Sequence, residues 1–101
     1  MAKYLLNSWA WNMVRPSSVL TVKHDLSEEE FNLRKEGSIS CIGHKAIARL
    51  LGVPFNREHI KLNVGDVALI VTTSNKLPYD ALSLPEGTEL RYECVKILEE
   101  I

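Results

Sequence analysis

The chain has 101 residues, 46% of them hydrophobic and 25% charged, and a formal net charge of −1. That is one domain's worth of chain with the composition of an ordinary soluble globular protein. A protein that grips a long nucleic acid through its backbone is usually basic, so this balance argues against such a partner. It leaves room for a small anion held by a few local charges. No apolar run approaches the roughly 20 residues needed to span a bilayer. The N-terminus carries Lys3 but no long apolar core, so no signal peptide is expected and the protein reads as soluble and intracellular.

Tyr4-Leu5-Leu6 reads as a short first strand, followed by an irregular stretch to Pro16 that contains Trp9 and Trp11. Val19 to Lys23 alternates apolar and polar residues, which predicts a half-buried strand. Ser27-Glu28-Glu29-Glu30 has the form of a capping box, with Ser27 accepting from the amide three residues on and Glu30 reaching back. The helix it starts runs through Phe31 and Leu33, and Gly37 can end it in the left-handed region. Ile39 to Ile42 is the next strand, and Ala46, Ile47, Leu50 and Leu51 then fall at helical spacing from His44. Gly52 closes that helix and Pro54 blocks its extension.

His59 to Leu62 alternates and predicts another strand, Val64-Gly65-Asp66 a turn, and Val67 to Thr72 a central strand. Asn75 to Gly87 reads as a loop and Leu90 to Leu98 as the last strand. The pattern predicts an α/β (α+β) fold in one domain over residues 1–101, with a mixed sheet of five or six strands and two helices packed on it. Cys41 and Cys94 stand alone in apolar runs and read as small buried hydrophobes. The spacing of His24 and His59 matches no zinc motif, so no metal site is expected.

His44 follows Gly43 where strand turns into helix. A helix start offers unpaired amides and a partial positive charge, which suit phosphate, and an imidazole there can hydrogen-bond that phosphate or protonate a leaving oxygen. A plain capping histidine fits the position equally well. Arg57, ahead of the stretch EHIKL, can take phosphate with two parallel hydrogen bonds, or pair with Glu58 at the surface. Asn7, at the end of the first strand, can read a base edge or a ribose hydroxyl, or serve as a turn residue. Lys76 follows the central strand, where sheets of this kind often place ligand sites, although a solvated loop lysine is the simpler reading. Trp9 and Trp11 can stack on bases, but anchoring the N-terminal segment is the better reading.

Asn7, CIGHKAIARLLGVPFNREHIKL and VGDVALIV together resemble a known family: the small viral and prophage proteins that include the viral ring nucleases, the type III anti-CRISPR enzymes. The resemblance runs from Tyr4 to about Pro78. It implies a mixed sheet flanked by helices in a symmetric homodimer, a cleft across that dimer, and cyclic tetra-adenylate as the molecule bound and cut. It implies no metal and no cofactor: a ribose 2′-hydroxyl attacks the neighbouring phosphorus, and the residue matching His44 protonates the departing 5′-oxygen. Asn7 and Arg57 match the family's ligand-binding positions, with Gly43 beside them. The place of action implied is the cytoplasm of an infected host cell. After the central strand the family usually reads RLPEG, whereas this chain reads KLPYD. Lys76 keeps the charge of the transition-state arginine without its planar fork. Tyr79 stands at the glutamate position, with Asp80 next to it, and Ala10 replaces a serine. The family's LSxEEL helix near the end is absent from the sequence. These departures thin the catalytic set more than the binding set. The alternative is therefore a sponge that holds a cyclic nucleotide intact, from a CRISPR type III, CBASS or Thoeris signal.

Overall fold

Lys3–Leu6 forms β1, the strand around which the sheet is assembled. It pairs in parallel with β3 (Ile39–Cys41) on one side and β4 (Val67–Thr73) on the other. Beyond β4 lie β5 (Leu90–Glu100) and then the edge strand β2 (Ser18–Lys23), both antiparallel to their neighbours. The order is β2-β5-β4-β1-β3, a five-stranded mixed sheet. The computed structural model describes residues 2–9, 11–58, 60–75 and 85–100.

Two helices cover one face. α1 (Glu28–Lys35) and α2 (Lys45–Leu51) bury Phe31, Ala46 and Ile47 against Leu5, Leu69 and Val71 of the sheet. Strand side chains alternate between faces, so Leu6, Ala68, Ile70 and Val95 point the other way. Among the described residues no helix covers that second face. It is closed by Val14, Ile60 and Leu62 from two irregular segments. Among the described residues no helix is long and apolar enough to cross a membrane.

The local signals explain the helix ends. Ser27 Oγ accepts from the Glu30 amide at 3.1 Å and caps α1. Glu30 does not complete the reciprocal half of the capping box. Its carboxylate takes Lys23 of β2 at 2.9 Å and Arg34 one turn on at 2.6 Å, two cations that hold it below the usual carboxylate range. Gly37 adopts φ +75° just past α1, a conformation side chains resist. Gly52 adopts φ +68° at the end of α2, and its amide and that of Val53 return to Arg49 and Ala48 carbonyls.

Two departures from the sequence pattern matter for the site. The segment ahead of Val67 is not a sixth strand: Leu62 makes only an isolated parallel bridge to Val14, while its amide donates to the Met13 carbonyl at 2.7 Å. Alternation there reflects Ile60 and Leu62 plugging the second face; His59 lies outside the described residues. The irregular tryptophan stretch contains one 3-10 turn, Trp11–Met13, with the two indoles edge to face at 5.2 Å.

Candidate functional site

Parallel strands that end together bring their next residues together. Leu6 and Cys41 are register partners at the ends of β1 and β3, so Asn7 emerges beside the Ile42-Gly43 step. The Asn7 side-chain oxygen accepts the Gly43 amide at 2.9 Å. A third segment runs alongside: Phe55 makes a parallel bridge to Ile42, and the Asn56 amide donates to the Ile42 carbonyl at 2.9 Å. Ser40 and Pro54 are tied by a further 3.1 Å bond. This segment carries Arg57 to Gly43, where a Cβ on the glycine would lie 3.2 Å from the arginine Cγ.

The result is a cavity of about 430 Å³ whose lining includes Asn7, Ser8, Asn12, Gly43, Arg57 and Glu58. Lys61 Nζ donates to the Asn12 carbonyl at 2.6 Å. The volume falls within the roughly 300–1,000 Å³ of small-ligand sites. The cavity opens at the carboxyl ends of parallel strands whose chains leave in different directions, β1 toward the far edge strand and β3 into α2. Sheets that contain parallel strands place ligands at such points.

Glycine at position 43 lets the arginine stem approach closely. Its φ is outside the left-handed region, so alanine is permitted by the backbone and only Arg57 must give way. Gly43→Ala is expected to fold with a melting temperature close to the parent's and to bind a phosphate-bearing ligand several-fold more weakly. Thermal melting and a ligand titration check this; an unchanged affinity would show that Arg57 is not held by the close approach.

His44 is the N-cap of α2, and its Nδ1 accepts from the Ile47 amide at 3.4 Å. The imidazole thus occupies one of the amides that the helix start would offer to phosphate. It is half-buried and follows Gly43 directly, but does not line the cavity. α2 is only seven residues long. Lys76, Tyr79 and Asp80 lie outside the described residues.

The sequence reading missed Glu58 as a cavity residue and left it as a surface partner for Arg57. It turns instead to Asn56, whose Nδ2 donates to Oε2 at 3.3 Å, and to the Cys41 thiol at 4.0 Å. Burial, followed by the Glu58 charge, pushes the Cys41 thiol up from its ordinary range, so it stays a neutral donor. Both cysteines are free and buried. Asp66 of the VGD turn lies at the other end of β1, where its carboxylate accepts the Ala2 and Asn63 amides at 2.9 Å each. A second, larger groove of about 870 Å³ between the ends of α1 and α2 is lined by Leu5, Leu51, Val53 and Pro54 together with polar and charged residues that include Asn32, Lys35, Glu36 and Asn56.

Residues 3–94 match the STIV B116-like protein family. The chain belongs to that family. The solved structure of B116 of Sulfolobus turreted icosahedral virus superposes with a TM-score of 0.72 at 25% identity, covering 95% of this chain and 99% of B116. No match is found among curated proteins. The STIV B116-like family therefore takes its name from a viral protein, and this member shares that protein's fold over nearly its whole length.

Proposed function

We propose that this protein is a viral or prophage anti-defence protein that binds a cyclic oligonucleotide second messenger at the Asn7–Gly43–Arg57 cavity and neutralises it. One observation carries the reading: three segments distant in sequence converge so that an arginine, a carboxamide and a glycine backbone face one cavity at the carboxyl ends of parallel strands. That arrangement suits a phosphodiester, with Arg57 as the bidentate donor. Kinship with a viral protein of the same fold supports the viral part of the reading. A four-nucleotide ring is larger than one such cavity, so a symmetric homodimer would supply one cavity from each copy.

Neutralisation by cutting needs no metal. The 2′-oxygen would form a bond to the neighbouring phosphorus and the bond from phosphorus to the 5′-oxygen would break; His44, beside Gly43 but outside the cavity lining, would have to turn in to give the leaving oxygen a proton while solvent takes that of the 2′-hydroxyl. Lys76 would offset the charge that develops on the phosphate. Neutralisation by holding the ring intact is favoured by the cap on α2. The imidazole is engaged through Nδ1 as the cap of α2, at 3.4 Å from the Ile47 amide. To reach a leaving oxygen it must let go of the Ile47 amide and leave the start of α2 without this cap.

Incubation with a panel of cyclic nucleotides, followed by heat denaturation and chromatography of what is released, separates the two modes. Uptake of a cyclic oligoadenylate is expected, near one ring per two chains. Linear product that disappears in His44→Ala marks a ring nuclease, and intact ring marks a sponge. Cleavage that survives His44→Ala unchanged removes the assigned acid, and no uptake of any ring overturns the proposal.

A further inference from the structure

We propose that Glu58 accepts a hydrogen bond from a ribose hydroxyl of the ligand and thereby makes the cavity selective for a ribonucleotide over a deoxyribonucleotide. This rests on the nucleotide-binding reading of the same cavity. Among the described residues Glu58 is the one acidic side chain lining that cavity, and it stands next to Arg57. An ionised carboxylate offers acceptors only, so it opposes phosphate and gains nothing from a bare anion. What it can take is an O–H group. In a nucleotide the 2′-hydroxyl supplies that donor within a few bonds of the phosphate. Neighbouring residues of opposite character thus match neighbouring parts of one ligand: Arg57 the phosphate, Glu58 the sugar. Acidic side chains bind ribose hydroxyls in dinucleotide folds for the same reason.

The carboxylate is held in a way that fits the task. Asn56 Nδ2 and the Cys41 thiol both address Oε2, at 3.3 Å and 4.0 Å. Among the described residues neither contact falls on Oε1. One oxygen is anchored by its neighbours in the fold, and the other keeps its accepting capacity. Glu58 is itself exposed, so its removal leaves the core packing untouched.

The test uses cyclic tetra-adenylate and its all-2′-deoxy counterpart, titrated against the full chain and against Glu58→Ala and Glu58→Gln. Only intact ring is counted, by chromatography. The parent is expected to prefer the ribose ring by about tenfold or more, the value of a hydrogen bond to a charged group. Glu58→Ala should lose that preference, binding the ribose ring more weakly and the deoxy ring more tightly because a repelling charge is gone. Glu58→Gln, which keeps an accepting oxygen, should retain part of it. If both rings bind the parent equally, or if the preference persists in Glu58→Ala, the role of Glu58 is overturned while the nucleotide site stands. If the parent binds neither ring, the nucleotide reading falls and the role of Glu58 falls with it.

Discussion

Asp66→Ala is expected to cost about 3–5 kcal/mol of folding stability, a large share of the roughly 5–15 kcal/mol a domain possesses. Asp66 is 5% exposed and the one buried charged side chain among the described residues. Its two oxygens each accept a backbone amide, from Ala2 ahead of β1 and from Asn63 in the turn before β4. Its own backbone also joins the sheet, with the Asp66 carbonyl accepting the Ile97 amide at 3.1 Å. Alanine leaves both donors without their acceptor and frees the start of the central strand. Asp66→Asn is the sharper control, since it preserves size but turns an N–H toward one of the donors. Both variants should melt well below the parent, Asp66→Ala by on the order of 15–30 °C. Melting within a few degrees of the parent would show that water replaces the carboxylate at little cost.

Arg57→Ala is expected to weaken binding of cyclic tetra-adenylate by about a hundredfold, the loss of two charge-assisted hydrogen bonds to one phosphate, and to leave stability within about 0.5 kcal/mol. Its side chain is exposed, so little packing is lost. Arg57→Lys should fall between the two, because an ammonium keeps the charge without the fork. Calorimetric titration alongside thermal melting reads both quantities. An affinity that barely changes would place the phosphate elsewhere.

The helices were legible because their ends are written in single residues: Ser27 before α1, and Gly37 and Gly52 after the two helices. Four of the five strands followed from runs of apolar and β-branched residues, and β2 from its alternation. The misread segment was His59 to Leu62. Alternation records only that every second side chain is buried, and Ile60 and Leu62 meet that condition by plugging a sheet face without joining the ladder. Strand order could not be read, since pairing depends on contacts far apart in sequence. That order is what places Asn7 beside Gly43. The carboxamide at the end of β1 and the glycine after β3 were each legible as candidate ligand positions, but not as partners of one another, which the parallel pairing of β1 and β3 makes them. Glu58 was hidden for the same reason: nothing local distinguishes a surface ion-pair residue from one that meets Cys41 across the fold. His44 was readable as a cap or as a phosphate ligand, and the cap is what its Nδ1 makes.

The proposal that a cyclic nucleotide docks at the Asn7–Gly43–Arg57 cavity is tested most directly by following backbone amide resonances of the labelled protein as cyclic tetra-adenylate is added. The amides of Ser8, Gly43, Arg57 and Glu58 should move most and at one shared affinity. Shifts confined to the groove between the ends of α1 and α2, with Gly43 and Arg57 still, would contradict the account.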